Sequence, residues 1–494
     1  MMVTSFNWAL LLLTVVIMIG LALYSNNVLK KKKDESGFLL AGNSLGPFIG
    51  AATVVATGFS GWGFMGSPGV AYKYGAIELL GNFFFAPAMV FAVLFCARFL
   101  HQKAQSMGSL TIPEFIANSH EGPEAIKRLS QAFAALVTIL LLLVFLVGQI
   151  KALGLLAGQW LGIDTTQAAV LMASIIIIYT SIGGLAAVAF TDTLMIIGMC
   201  ASAIIIVGTI FIDISPSELL NGLNNIDTAL LSPSDSGPYG SSIWHVFLVF
   251  PYAFIYSATL PFMSVRFMAL AKTTKLHHMA AFMAPMACLL SLVPLAGLYT
   301  RLKVPGLEIA DQAMPVFLTQ FLSPVVSAVV TLFILFAMKS TASSVLHAIA
   351  GSVSHDLRQA LWPKCKLSEK PLLLLNRGTV AVLGMIGFVM MVFAPPFMLS
   401  MLAILGSGTL MAVLVAPMLL AHFLPSNIYA ALSSMVVGFA MGCILFLYFD
   451  LGWVEAPLYS SLCACCTYWL VAKATAKHLS CNHLSTIKNS CHKL

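Results

Sequence analysis

The sequence predicts an all-α polytopic membrane protein of about 13 transmembrane helices, arranged as two inverted five-helix halves that each open with a broken helix. Three observations predict it. Of the 494 residues 60% are hydrophobic and only 9% charged, with a mean hydropathy of +0.96, well outside the range of a water-soluble chain. Apolar runs long enough to cross a bilayer, about 20 residues each, recur along the whole length. Two of them, at 46–75 and 243–267, are interrupted by glycine or proline at matching places in two halves, the pattern that marks an inverted-repeat transporter.

Taken in order, the first run covers 6–24. It has no basic residue before it and Lys30 to Lys33 after it, the reverse of a signal peptide, so it reads as an uncleaved helix with its N-terminus outside. Residues 1–44 are thus a leading helix and a basic inner loop. The broken run follows. Its middle, Ala56-Thr57-Gly58-Phe59-Ser60-Gly61, with Gly63, Gly66, Pro68 and Gly69 beyond, loosens the helical hydrogen-bond ladder. In hydrocarbon the freed backbone groups need protein or a wet cavity around them. The next run, 77–100, returns to an inner loop with Arg98, Lys103, Lys127 and Arg128. Spans near 132–155, 168–180 and 194–212 complete a first repeat over 45–212.

Residues 213–242 carry Asp213, Glu218, Asp227 and Asp235 and no lysine or arginine, which places this loop outside. A second repeat over 243–421 holds spans near 243–267, 279–298, 325–349, 380–393 and 398–420. Its leading span is broken by Pro251 and by Thr259-Leu260-Pro261. Residues 422–494 add two peripheral spans, near 430–448 and 458–471, and a cytoplasmic tail. This threading leaves about 20 of the 25 Lys and Arg on the inner side. The exceptions are Lys73, Lys151, Arg301, Lys303 and Lys339. The net charge of +7 is therefore a topological signal and gives no reason to expect a nucleic acid.

No stretch is polar enough for a separate kinase, nuclease or binding domain. No cluster of carboxylates, Cys-His pair or metal motif shares one membrane depth, so an enzyme is not expected. Of the ten cysteines, Cys96, Cys200, Cys288, Cys443, Cys463, Cys465 and Cys466 fall in apolar spans and read as small hydrophobes. The tail residues His478, Cys481, His483, Cys491 and His492 match no zinc spacing.

Chemistry concentrates at the breaks and in Phe336-Ala-Met-Lys-Ser-Thr-Ala-Ser-Ser344. Sodium is a hard cation that takes about five oxygens and requires no carboxylate. Ser340 and Thr341 offer hydroxyls where the first break releases the carbonyls of Ala56 and Phe59. Two plainer readings stand beside this one. Small residues let neighbouring helices pack closely, and membrane serines bond to their own helix carbonyls. Lys339 lies in mid-span, where insertion costs about 2.5–3.5 kcal/mol. It points about 100° away from Ser340 around the helix. It either bonds released carbonyls or water beside another helix and leaves sodium coupling intact, or its ammonium stands in for sodium and exchanges protons.

At these residues the chain resembles the sodium:solute symporter family, above all its bacterial pantothenate and proline members. The shared stretches are AGNSLGPF at 41–48, ATGFSGW at the first break, PGVAYKYG, TIPEF at 111–115, YTSIGGLAAVAFTD at 179–192, VRFMA at 265–269 and the ST-x-S segment at 340–343. The resemblance implies a leucine-transporter-type fold with solute and sodium between the repeats. It implies a sodium site from the carbonyls of Ala56 and Phe59 with Ala337, Ser340 and Thr341. It implies a solute pocket from Thr57, Ser60, Gly61 and Trp62, joined by Tyr252 and Tyr256 with Ser257 beside them. Asp192, at the end of the inner GG loop, is expected to cap the next helix or to act in gating.

The chain also departs from the family. Gly58 stands where proline-type members carry aspartate, Pro261-Phe262 replaces a common Pro-His pair, and Met338-Lys339 replaces two uncharged residues; Gly58, Pro261, Lys339 and Asp192 are the expected coupling and gating positions. The expected function is sodium-driven import of a small organic carboxylate, such as pantothenate or an amino acid like proline, by alternating access. Sodium is the coupling ion, with no organic cofactor. The partners are the solute and the lipid bilayer, with no nucleic acid, and the expected location is a bacterial inner membrane. The alternatives are a solute sensor that does not transport and a proton-coupled transporter working through Lys339.

Overall fold

The computed structural model describes residues 2–28, 35–231, 237–239, 242–365, 367–394, 399–449 and 451–491. Among them the regular structure is helical, apart from two isolated backbone bridges, Leu45–Leu270 and Glu121–Asn427. The principal helices are α1 (Met2–Val28), α2 (Pro47–Gly58), α3 (Trp62–Tyr74), α4 (Ile77–Met107), α5 (Glu124–Leu161), α6 (Thr165–Asp213) and α7 (Trp244–Thr259). They continue as α8 (Pro261–Met268), α9 (Leu276–Lys303), α10 (Pro324–Leu361), α11 (Glu369–Phe393), α12 (Leu402–His422), α13 (Ile428–Leu447) and α14 (Glu455–Cys491).

Among the described residues nine helices are long and apolar enough to cross a membrane, or up to eleven if each of two bent pairs is one span. The bent pairs are the two breaks read from the sequence. Pro47, at the first helical position, starts α2 without wasting a donor. Phe59 then leaves the helix at φ −86°, ψ 74°, and α3 resumes at 52° to α2. In the second pair Leu260 is extended (φ −65°, ψ 130°), as a residue before proline must be, and α8 leaves Pro261 at 59° to α7.

Helix α6 revises the sequence reading. The stretch 179–192, expected as an inner loop between two spans, is helical, and the helix runs 49 residues, about 74 Å. That exceeds twice the thickness of a hydrocarbon core. Gly184 divides it, with φ 55°, ψ −146° inside otherwise helical backbone. A Cβ at that position would stand 2.4 Å from the Phe38 carbonyl oxygen, so both the conformation and the close approach of the 35–40 segment require glycine.

At the ends of these helices polar side chains take the free N–H groups. Asp164 accepts from the Thr166 and Gln167 N–H groups at the start of α6, which holds its carboxyl below the ordinary value. In the acidic loop Ser215 and Glu218 form a reciprocal capping box. Helix α10 packs against α5, α6 and α2, so the Ser/Thr-rich segment faces the first break.

Candidate solute and cation site at the helix breaks

Ala337, Ser340 and Thr341 are fully buried on α10, opposite the last turn of α2. Thr341 Oγ1 donates to the Thr57 carbonyl at 2.9 Å and lies 3.3 Å from that of Ala337. Ser343 and Ser344 donate to the Ser340 carbonyl at 2.9 and 2.7 Å, the ordinary behaviour of a helical serine. Ser340 Oγ differs. It lies toward the Asp192 carboxylate without completing a well-formed hydrogen bond. A buried hydroxyl left this way is costly unless something else uses the oxygen.

Beside it lies a charged network absent from the sequence reading. Asp192 Oδ2 accepts from Thr53 Oγ1 at 2.5 Å and lies 3.3 Å from Arg266 Nη2, with both charged side chains fully buried. Arg266 also donates from Nε to Thr53 Oγ1 and from Nη2 to Thr57 Oγ1, each at 2.7 Å, and to Ser344 and the Phe262 carbonyl. The network ties α2, α6, α8 and α10 together. Asp192 therefore does not cap a helix: it lies two turns inside the second half of α6, because the expected loop is helical. Thr57 is drawn into the same network by its hydroxyl.

At the breaks is a cavity whose free space, together with the solvent it opens to, comes to about 550 Å³. Gly58, Ser60 and Trp62 line it from the first break and Tyr252 and Tyr256 from α7. Thr57, Gly61 and Ser257 are not among the lining residues. The Gly61 N–H donates to Gln149 Oε1 at 3.0 Å, and Ser257 Oγ is buried with no hydrogen-bond partner among the described residues. The wall is completed by residues the sequence reading missed: Phe85 of α4, Phe145 of α5, Ser407 of α12, and Tyr239 and Trp453 from connecting segments. Tyr239 is held by Glu78, a fully buried carboxylate that also accepts from Ser67 Oγ (2.5 Å) and Asn82 Nδ2 (2.9 Å). The Trp453 N–H donates to the neighbouring Pro238 carbonyl at 2.8 Å. Arg266 and Glu78 were visible as single charges in apolar surroundings, the one signal that could have flagged them.

Pro261 lines a second, smaller cavity with Val265, His347, Leu39 and Leu110. Lys339 is fully buried, and its Nζ has no hydrogen-bond partner among the described residues. The Phe336 ring lies 5.9 Å away, and the Lys339 carbonyl accepts from Tyr179 Oη at 3.1 Å. Three of the cations that broke the charge rule have local partners. Lys303 pairs with Asp213 at 2.7 Å, Arg301 sits 5.1 Å from the Tyr72 ring, and Lys73 sits 5.0 Å from that of Tyr74. The side chains of the tail residues His478, Cys481, His483, Cys491 and His492 lie outside the described residues.

The model of the sodium:solute symporter family matches residues 38–438, which include both breaks and all of α10. The chain belongs to the sodium:solute symporter family. Within it, the chain is 27% identical over 423 residues to the sodium/pantothenate symporter of Haemophilus influenzae, covering 82% of this chain and 84% of that one. It is 25% identical over 374 residues to the high-affinity proline transporter PutP of Bacillus subtilis, covering 73% and 76%. Among solved structures, a Na+-coupled sialic acid symporter in a substrate-bound outward-open state superposes with a TM-score of 0.78 at 17% identity, covering 95% of this chain and 98% of that one. Mhp1, a nucleobase-cation-symport-1 family transporter closed around bromovinylhydantoin, gives 0.55 at 16% identity, covering 88% and 94%. These likenesses establish the fold. The family motif at 56–62 coincides with the end of α2 and the break, and the ST-x-S segment is the part of α10 that meets it.

Proposed function

We propose that this family member is a secondary active symporter that uses an inward sodium gradient to import a small organic carboxylate, pantothenate or an amino acid such as proline. The observation that carries the reading is the meeting of Ser340 and Thr341 with the first break: one hydroxyl bridges to a break carbonyl, and the other is buried toward Asp192 without a well-formed hydrogen bond. Sodium would take oxygens from Ala56, Phe59, Ala337, Ser340 and Thr341, and the solute would occupy the cavity lined by Ser60, Trp62, Tyr252 and Tyr256. The partial positive charge at the start of α3 favours an anionic end of the solute. Sodium ordering the break before the solute completes the pocket is the physical basis of alternating access.

The same reading divides the chain into 13 spans, with two five-span repeats at 45–212 and 243–421. It places the N-terminus outside and the C-terminus inside a bacterial inner membrane. Splitting α6 at Gly184 and counting each bent pair once gives twelve, and this reading takes the thirteenth from the apolar start of α14. A second reading rests on Lys339, whose buried ammonium has no hydrogen-bond partner among the described residues: a cation there that exchanged its proton would couple transport to a proton gradient.

Uptake of radiolabelled pantothenate and proline into proteoliposomes, with and without a sodium gradient, decides among these. Sodium-stimulated accumulation is the expected result. Sodium-free uptake driven by an acid-outside gradient and lost in Lys339→Met favours the proton reading. Binding without accumulation indicates a sensor.

A further inference from the structure

Two aromatic residues in the cavity wall, Tyr239 and Trp453, come from segments between the principal helices. Those segments are fastened together: the Trp453 N–H donates to the Pro238 carbonyl at 2.8 Å, and Pro238 and Tyr239 are both buried. The chain before them is docked on the turn between α3 and α4, where the Ala76 N–H donates to the Leu230 carbonyl at 2.7 Å. Gly81 of α4 makes room for the phenol, since a Cβ there would stand 2.4 Å from Tyr239 Oη.

The phenol ends on Glu78, whose two oxygens serve different parts of the chain. Oε2 accepts from Tyr239 Oη. Oε1 accepts from Ser67 Oγ of α3 at 2.5 Å and from Asn82 Nδ2 of α4 at 2.9 Å. Asn82 Nδ2 also lies 2.9 Å from Ser67 Oγ, and Ser67, Glu78 and Asn82 are each at most 1% exposed. Hydrogen bonds to a charged acceptor are about twice as strong as neutral ones, and a buried carboxylate oxygen stripped of its donor is costly. A glutamine in this place would offer one acceptor oxygen where the carboxylate offers two. Helix α3 itself begins with Trp62, on the cavity wall. One buried carboxylate thus ties the second half of the first break to the wall supplied by the connecting segment.

Resting on the reading of this cavity as the solute site, we infer that Glu78 is a positioning residue for the solute. It holds Tyr239 in the cavity wall and locks that wall to α3, so solute affinity depends on a side chain behind the lining.

Hydroxyl-radical footprinting of the purified full-length protein, read by mass spectrometry, tests the hold with no solute present. Tyr239 is expected to be oxidised at least fivefold faster in Glu78→Gln than in the unaltered protein. His355→Ala, which disturbs a separate buried cluster with Glu35 and Glu114, is expected to leave Tyr239 protected. Tyr239→Phe removes one hydroxyl and is expected to show the same release at Trp453, which decides the matter if Glu78→Gln does not fold. Uptake of radiolabelled pantothenate and proline tests the role toward solute. For whichever is taken up, each variant is expected to raise the concentration for half-maximal uptake about tenfold, and the double variant to be no worse than either. The sodium-induced rise in melting temperature, measured without solute, is expected to be unchanged. Protection of Tyr239 that persists in Glu78→Gln, or that is lost equally in His355→Ala, overturns the inference, as does an unchanged half-maximal concentration. If neither solute is taken up, the symport reading for these solutes fails, and the footprint still decides whether Glu78 holds the wall.

Discussion

Thr341 shows how much one hydroxyl can carry. Its Oγ1 links α10 to the released end of α2 through the Thr57 carbonyl, at the place where a cation would sit. Thr341→Ala removes that oxygen with no replacement, a loss of about 1–3 kcal/mol. The sodium concentration for half-maximal uptake is expected to rise about tenfold, and an unchanged sodium dependence would remove Thr341 from the site. Gly61 makes a steric case. A Cβ there would lie 2.8 Å from Gln149 Oε1 and 3.1 Å from Met338 Cγ, between α5 and α10. Gly61→Leu is expected to abolish uptake while membrane insertion and expression persist, and normal transport by that variant would mean the break tolerates bulk. At this scale the residue types of the candidate cation site were legible, because hydroxyls beside a Gly-rich break are few in a chain this apolar. The partners of those hydroxyls were not, since Ser340, Ser343 and Ser344 look alike in sequence and bond differently in space.

Among elements, the decisive joint is the buried pair between α6 and α8. Breaking such a pair on one side strands a charge and costs about 3–5 kcal/mol, whereas replacing both partners by apolar groups of similar size is often far milder. Asp192→Asn and Arg266→Met are each expected to lower the melting temperature of the purified protein sharply, and the double variant by less than the sum. Additive losses would show that the two side chains act independently. The pair escaped the sequence reading because Asp192 and Arg266 are 74 residues apart and periodicity does not report which helices become neighbours. The breaks themselves were legible, since proline and glycine act on their own backbone. The division of α6 was read as a loop where one residue suffices, for a related reason: the residues around Gly183-Gly184 are helix-compatible, and only Gly184 leaves the helix.

For the molecule as a whole, a cluster away from the cavity joins three parts of the chain. His355, near the end of α10, lies 3.0 Å from Glu35 and 3.0 Å from Glu114, on the helix Ile112–Ser119. Thr111 Oγ1 donates to the adjacent Asp356 at 2.5 Å. Burial alone would raise the Glu114 carboxyl, but the hydrogen bond and charge of His355 and the Leu110 N–H outweigh it and hold Glu114 below its ordinary value. A carboxyl lowered by folding adds stability above its unfolded pKa, and that stability is lost as pH falls through the folded value. His355→Ala is therefore expected to lower the melting temperature at pH 7 and to do so much less near pH 4, where Glu114 without its partner takes up a proton. An equal loss at both pH values would show that His355 acts by packing alone.

The sequence by itself determined the membrane class, the positions of both helix breaks, the Ser/Thr segment opposite the first of them and the family, because each is written in composition or in neighbouring residues. The tertiary structure decided which distant groups share a site: the Arg266–Asp192 pair, Glu78 beneath Tyr239, the aromatic wall drawn from four helices, and the place of Asp192 within a helix. These depend on which helix faces pack together. That choice is made by the fit of many side chains across chain-distant surfaces, and no local pattern records it.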